Sequence, residues 1–276
     1  MLKQRVITSL WGLLLLIVTN WFGSPWFTLL IAIWGLLACY EFYNLITTTG
    51  AKPQTYFGLI WSLLFIISQD SQLQAFINRG FDINLITPLL LTSAVVISLI
   101  CLLSYSPKEK AFISWAWMMA GILYIGWLTS YLVAIRGFDY GRNWAFFVLF
   151  VTFASDTSAY LVGSTLGRHY LAPYISPKKT WEGAIGGGIG AVLVSLIFIL
   201  PTTLNLPITA WQAILAGLLV SFFGQLGDMV KSLFKRNMRA KDSGKLLPGH
   251  GGFLDRLDSV LFAAVVIYYY VIWVIR

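Results

Sequence analysis

Long apolar segments dominate this chain and decide which folds are open to it. A helix that crosses a bilayer needs about 20 predominantly apolar residues, and about nine segments approach or reach that length. Hydrophobic residues make up 58% of the 276 residues and charged residues only 11%, which is too apolar for a soluble domain. The segments are approximately 6–22, 25–46, 56–68, 86–103, 114–135, 144–163, 181–200, 210–231 and 254–275.

These segments predict an all-α polytopic membrane protein with about nine transmembrane helices. Open sheet edges are not tolerated in hydrocarbon, because no water is present to satisfy their backbone groups. A transmembrane barrel would need apolar and polar residues to alternate, and the sequence lacks that alternation. The segment 56–68 is short and would tilt, re-enter or extend.

The distribution of positive charge predicts how the helices are oriented, because Lys and Arg are enriched in cytoplasmic loops. With a cytoplasmic N-terminus, 14 of the 19 Lys and Arg residues fall inside and four outside, while Arg256 lies at the inner mouth of the last span. The C-terminus is then outside. Residues 1–5 resemble the charged flank of a retained first span, so we expect a prokaryotic plasma (inner) membrane location.

Acidic residues divide the chain into two regions. Residues 1–135 are expected to form a helical scaffold, in which Glu41 is the one acidic residue within a span. We interpret Glu41 as a structural anchor or as the partner of a helix end. Residues 136–276 are expected to form the catalytic region, because five further acids fall at the cytoplasmic ends of their spans. Carboxylates within a bilayer are costly, so they indicate a shared water-filled cavity open to the cytoplasm. These five are Asp156, Glu182, Asp228, Asp255 and Asp258.

The end of the eighth segment and the start of the ninth carry acids at helical spacing. Two sets of side chains would each share one helix face. Carboxylates on two facing helices suit Mg²⁺, which prefers one or two carboxylates together with waters and substrate phosphates. The alternative is a set of acid–base pairs that neutralise one another in the bilayer. The two sets are Asp228, Ser232 and Lys235, and Asp255, Asp258 and Ser259.

The loop between these two helices combines cations with glycines, and a phosphate-binding cradle needs both. His250, between two glycines, could donate to a phosphate, transfer a proton or anchor the loop. The cations are Lys235, Arg236, Arg239, Lys241 and Lys245, and the glycines are Gly244, Gly249, Gly251 and Gly252.

A second group of polar residues precedes the seventh segment. Ser176, Lys178, Lys179 and Thr180 stand just before the N-terminus of a predicted helix, where backbone N–H groups and the helix dipole favour an anion. The glycine-rich run 183–191 lacks the Lys that follows the glycines of a phosphate loop. Its glycines, four residues apart, instead predict a close helix–helix packing face.

The segment 232–258 has the pattern S-x-x-K-R-x-x-x-x-K-D-x-G-x-x-x-P-G-H-G-G-x-x-D-R-x-D. It resembles the signature of the phosphatidate cytidylyltransferase (CDP-diacylglycerol synthase) family and shows no departure from it. The segment 155–183 is similar to the second motif of that family. The resemblance is detailed over about the last 130 residues and rests elsewhere on apolar spans alone.

The resemblance implies transfer of CMP from CTP to phosphatidic acid, giving CDP-diacylglycerol and pyrophosphate for phospholipid biosynthesis. It also implies a Mg²⁺ requirement and a membrane-embedded homodimer with a cytoplasm-facing site, and nucleic acid is not among the expected partners. We expect Asp228 and Asp255 to hold Mg²⁺, with Asp258 or Asp156 assisting at it or at a second cation.

The remaining expected roles concern the phosphates. The predicted catalytic set is Asp228, Lys235, Asp255 and Asp258. Lys235, Arg236 and Lys241 are expected to bind the triphosphate or the lipid phosphate. A further phosphate is assigned to Ser176, Lys178, Lys179 and Thr180. His250, Gly251 and Gly252 complete the expected substrate-binding set. Asp242 and Glu182 are expected to lie beside its lysines and orient them, with Ser232 in a supporting position.

Two other functions use similar residues. A CTP-dependent membrane lipid kinase would transfer the γ-phosphate instead of the CMP group. A membrane transporter would place acids near the bilayer midplane and often repeats its two halves. The acids here gather in one leaflet and the halves differ, which disfavours transport.

Overall fold

The computed structural model describes residues 2–105, 108–240, 242–244 and 251–275. Most of these residues are helical. The α-helices in this part of the chain are α1 (Leu2–Phe22), α2 (Trp26–Thr47), α3 (Thr55–Ser68), α4 (Ser71–Ile77), α5 (Ile86–Leu102), α6 (Ala111–Gly121), α7 (Leu128–Arg136), α8 (Gly141–Leu166), α9 (Trp181–Ile197), α10 (Ala210–Asn237) and α11 (Leu254–Tyr270).

Six helical stretches of the described chain are long and apolar enough to cross a membrane. They are Trp26–Thr47, Ile83–Leu102, Lys108–Arg136, Gly141–Leu166, Ala210–Asn237 and Leu254–Ile275. Three shorter apolar helices are Leu10–Phe22, Thr55–Ser68 and Trp181–Ile197. An α-helical polytopic membrane protein is thus confirmed, whereas nine crossings and the sides of the two termini stay predictions.

Two features depart from plain α-helix. A π-helical turn, Ile122–Trp127, joins α6 to α7, and a second, Val271–Ile275, extends α11. Between α8 and α9, the antiparallel strands β1 (Tyr170–Ala172) and β2 (Ser176–Thr180) form a hairpin that the all-α prediction did not include. The hairpin connects two packed helices and leads directly into α9.

The described residues form two compact units. The first contains residues from 1–137 and 240–255, and the second contains residues from 138–239 and 256–276. The described parts of the glycine-rich loop, 242–244 and 251–253, therefore belong to the same unit as the N-terminal helices.

The core of the first unit is built around Phe65, Met118 and Ile122, which are almost fully buried. Tyr43 of α2 is also buried, and its hydroxyl donates a hydrogen bond to the carbonyl of Met118 at 2.8 Å. A Cβ at Gly121 would lie 2.5 Å from the Tyr43 ring, so this glycine lets α6 approach α2.

In the second unit, glycines of α9 lie directly against α8. A Cβ placed on Gly186 would stand 2.6 Å from the Cβ of Val162, and one placed on Gly187 would stand 3.1 Å from the Cβ of Ala159. The structure confirms that the glycine-rich run is a helix-packing face.

This packing predicts opposite effects for two neighbouring substitutions. Gly186→Ala should destabilise the protein by about 1–3 kcal/mol, because the new methyl group overpacks against Val162. Gly188→Ala is the matched control, since its Cβ would meet only Leu218, at 3.9 Å, and alanine gains up to about 1 kcal/mol in helix propensity. Thermal unfolding in detergent measures both, and equal melting temperatures would contradict the packing role.

Candidate active site

A partly buried network of ion pairs lies in the second unit. Asp228 of α10 accepts from Lys231 one turn later (Nζ–Oδ1 2.8 Å) and from Lys179 of β2 (Nζ–Oδ2 2.7 Å). Lys231 also pairs with Asp258 of α11. The Lys231 and Asp258 side chains are only 8% and 6% exposed, so neither charge could remain there without its partner.

Asp156 of α8 lies beside this network, close enough to Asp228, Lys179 and Lys231 to interact with them electrostatically and within reach of the Ser259 hydroxyl of α11. We refer to Asp156, Lys179, Asp228, Lys231 and Asp258 as the Asp–Lys cluster. Three carboxylates and two lysines leave one formal negative charge.

Local sequence explains how the cluster is assembled. Asp228 and Lys231 are three residues apart, so they share one face of α10. A Cβ at Gly227 would lie 2.5 Å from the backbone carbonyl of Asp258, so this glycine allows α11 to pass close to Asp228. Lys179 is positioned by the hairpin, and its amine also donates to the carbonyl of Gln225 at 3.2 Å.

The other described residues of this unit that are predicted to bind phosphate include three in the hairpin and one that contacts it. The hydroxyl of Thr180 caps α9 by accepting from the N–H of Gly183 at 3.2 Å. Lys178 is exposed on β2, and Ser176 pairs with Ala172 in the hairpin. The guanidinium of Arg236 donates to the carbonyl of Ile175 at 3.4 Å.

Ser232 and Lys235 are half-buried on α10. Glu182, expected beside a lysine, instead pairs with His169 (Oε1–Nδ1 2.6 Å) and accepts from the backbone N–H of Arg168 at 3.2 Å. Glu182 therefore fixes the turn that leads into the hairpin.

Asp255 lies in the first unit, where it organises the loop. Its Oδ2 accepts from the N–H of Ser243 at 2.9 Å, from the Ser243 hydroxyl at 2.8 Å and from the N–H of Gly252 at 3.3 Å. Gly251 adopts a left-handed conformation with φ of +81°, next to exposed Asp242. The carboxylate of Asp255 therefore closes the loop at the start of α11.

Glu41 of α2 reaches the same loop. Its side chain is 2% exposed, and its Oε2 accepts from the N–H of Leu254 at 3.1 Å and from the Ser243 hydroxyl at 3.4 Å. A Cβ at Gly252 would overlap both Glu41 and Ser243. The Oε1 atom is buried with no hydrogen-bond donor among the residues that the structure describes. Of the two interpretations of Glu41, the helix-end partner is the one that this geometry supports.

Lys241 and His250, two of the predicted substrate-binding residues, lie outside the described residues. Gly251 and Gly252 are described, and the groups that approach them are the carboxylates of Asp255 and Glu41.

The donor chemistry of the Asp–Lys cluster fits Mg²⁺. Within the described ranges no group of three His, Cys, Asp or Glu side chains forms a ready-made metal cage. Mg²⁺ does not need such a cage, because it binds one or two carboxylates and takes its other ligands from water and substrate phosphates. Asp228, Asp258 and Asp156 supply hard oxygen donors from three different helices.

Comparison with known proteins identifies the family. The model of the cytidylyltransferase family matches residues 3–274. The chain belongs to the cytidylyltransferase family. It is 36% identical over 270 residues to the phosphatidate cytidylyltransferase of Bacillus subtilis (strain 168), with 97% of each chain covered.

Two further relatives of this cytidylyltransferase carry the same description. The phosphatidate cytidylyltransferase of Brucella abortus biovar 1 (strain 9-941) is 34% identical over 268 residues, covering 97% of this chain and 92% of the relative. That of Staphylococcus haemolyticus (strain JCSC1435) is 32% identical over 264 residues, covering 95% of each.

Two residues have partners in the structure that the sequence analysis does not identify. Lys231 of the Asp–Lys cluster pairs with Asp228, and its position three residues after that acid is a signal for an ion pair. Glu41 of the first unit has two interpretations from the sequence, because its partner Leu254 is 213 residues away.

Proposed function

We propose that this protein transfers the CMP group of CTP to phosphatidate, producing CDP-diacylglycerol and pyrophosphate for phospholipid biosynthesis. The observation that carries the proposal is the Asp–Lys cluster, a set of three acids and two lysines at the meeting of α8, α10, α11 and β2, in which the Lys231–Asp258 pair is buried. The family match and the names of the relatives supply the reaction to which we assign this cluster.

The reaction suits a site of this composition. An oxygen of the phosphatidate phosphate attacks the α-phosphorus of CTP, and the bond to the β-phosphate oxygen breaks with its electron pair leaving on pyrophosphate. The attacking phosphate is already largely ionised near neutral pH, so no strong general base is required. Catalysis then depends on holding two polyanions together and stabilising the leaving charge.

The chain's own residues divide this work. Lys179 and Lys231 neutralise charge at the reacting phosphates, while Asp228 holds both amines in place. Mg²⁺, when bound, would supply positive charge that offsets the charge of the phosphates. Asp228, with Asp258 or Asp156, would hold it, and the same carboxylates leave donors for a second cation.

Further roles belong to the same proposal. Lys235, Arg236, Lys241 and His250 would bind the triphosphate or the lipid phosphate, together with Ser176, Lys178, Thr180 and the backbone at Gly251 and Gly252. Asp255 remains a candidate magnesium ligand. We also propose a homodimer in a prokaryotic inner membrane, with the site facing the cytoplasm.

The decisive experiment follows the label from CTP into lipid. Purified protein is incubated with phosphatidate, Mg²⁺ and CTP labelled at either the α- or the γ-phosphate. We expect lipid label only from the α position, release of pyrophosphate, and loss of both with chelator. Label transferred from the γ position would establish a lipid kinase, and no transfer from either position would refute the proposal.

A further inference from the structure

An apolar groove runs between α9 and α10 in the second unit. Its volume is about 490 Å³, within the range of about 300–1,000 Å³ that is typical of small-molecule sites. Both helices present exposed apolar side chains to it at a spacing of four residues, so each row lies along one helix face. The rows are Ile185, Ile189 and Leu193 on α9, and Leu218 and Phe222 on α10.

Two polar side chains of the groove form hydrogen bonds within the protein. The side-chain amide of Gln225 donates to the carbonyl of Ala184 at 3.2 Å and to the Ser221 hydroxyl at 2.9 Å. Ser221 in turn bonds the hydroxyl of Ser155 at 2.8 Å. The wall of the groove is otherwise mainly apolar and suits a hydrocarbon chain.

One end of the groove is continuous with the Asp–Lys cluster. Gln225 lines the groove, and its backbone carbonyl accepts from the amine of Lys179, which also pairs with Asp228. Trp181, two residues after Lys179, lines the same end. A phosphate held by Lys179 would thus lie where the apolar groove begins.

The length of the groove fits a single lipid chain. The lining residues of α9 extend from Trp181 to Leu193, twelve positions later, which is about 18 Å of helix. The hydrocarbon core of a bilayer is about 30 Å thick, so one leaflet is about 15 Å deep. Gly188 has no side chain to fill the floor of the groove, and a Cβ there would contact only the end of the Leu218 side chain, at 3.9 Å.

We propose that this groove binds one acyl chain of the phosphatidate substrate, with the lipid phosphate directed toward Lys179. This inference rests on the proposed function and adds a specificity site to it. The chain would enter sideways from the membrane, since the apolar residues along the groove are exposed.

Blocking the groove tests this directly. Gly188→Leu should fill its middle and lower kcat/KM for dioleoyl phosphatidate about tenfold. The same variant should keep activity toward water-soluble dihexanoyl phosphatidate within about twofold of wild type, because a short chain does not need the groove. Ile197→Phe, a lipid-facing change on α9 outside the groove, is the matched control and should alter neither value.

Several outcomes would overturn the assignment. Equal loss with both substrates would mean that the substitution damages the helix pair, and no loss with either would mean that the groove holds no substrate chain. Dissociation of an oligomer by Gly188→Leu would assign the groove to an interface between copies. A wild-type protein inactive toward both lipids would instead refute the proposed function.

Photolabelling provides a measurement that does not depend on turnover or on tolerance of the leucine. A phosphatidate with a diazirine near the end of one acyl chain should label the peptides containing Leu193 and Leu218, and excess dioleoyl phosphatidate should suppress that labelling. Labelling confined to other helices would overturn the proposal.

Discussion

Asp228→Asn is expected to lower kcat/KM by about 100- to 1,000-fold, the range seen when one preorganised electrostatic group is removed from an active site. Asp228 holds Lys179 and Lys231 at the same time, and it is also a proposed ligand of Mg²⁺. Asparagine keeps the volume but removes the charge, so both amines lose an ion-pair partner that helps to fix them. Steady-state kinetics with CTP and phosphatidate provide the measurement.

Two comparisons separate this effect from general damage. Asp82→Asn makes the same chemical change at an exposed residue that caps a short turn, and it should leave kcat/KM unchanged. In the double variant, Lys179→Met should lower kcat/KM little beyond the loss caused by Asp228→Asn, because the effects of substitutions within one network are not additive. Wild-type turnover in Asp228→Asn, or fully additive losses, would contradict the proposed network.

Much of the architecture follows from the sequence because helices in a bilayer obey length and composition rules. The segments around Trp26 and Ala210 are long and apolar, and backbone satisfaction in lipid leaves the helix as their simplest conformation. The acids of the second unit could be predicted for a related reason. A carboxylate within a span is costly, so the sequence predicts one shared cavity for the five acids of the C-terminal region. The structure places Asp156, Asp228 and Asp258 close together, whereas Glu182 pairs with His169 and Asp255 closes the loop of the first unit.

The rest depends on contacts that no local pattern encodes. The hydroxyl of Thr180 was expected at a phosphate, but a Thr that precedes a helix serves equally well as its cap, and the structure shows that cap. Glu182 was expected beside a lysine, yet the hairpin, formed by a short polar segment with little periodicity, brings His169 to it. Helical spacing relates residues within one segment only, so the partner of Glu41 at Leu254 required the tertiary structure.

Glu41→Ala is expected to have the second large effect. The substitution removes the acceptor of the Leu254 N–H in a buried site, and an unsatisfied buried donor costs about 1–3 kcal/mol. It also removes the second acceptor of the Ser243 hydroxyl, which helps to position Asp255. We expect kcat/KM to fall about 10- to 100-fold, and Glu41→Gln, which retains an acceptor oxygen, to recover part of that loss.

Hydrogen exchange shows whether Glu41 acts through the loop. In Glu41→Ala, the amide of Leu254 should exchange faster because it loses its acceptor. The amide of Gly252 should also exchange faster, because the Asp255 carboxylate that accepts from it is no longer held in place. Tyr43→Phe is the matched control, because Tyr43 lies two residues away on α2 and the variant loses a buried hydrogen bond to the carbonyl of Met118. This variant should lower the melting temperature without changing hydrogen exchange in the loop. Unchanged exchange at both amides in Glu41→Ala, or the same acceleration in Tyr43→Phe, would show that Glu41 supports the helix bundle in general and not the start of α11.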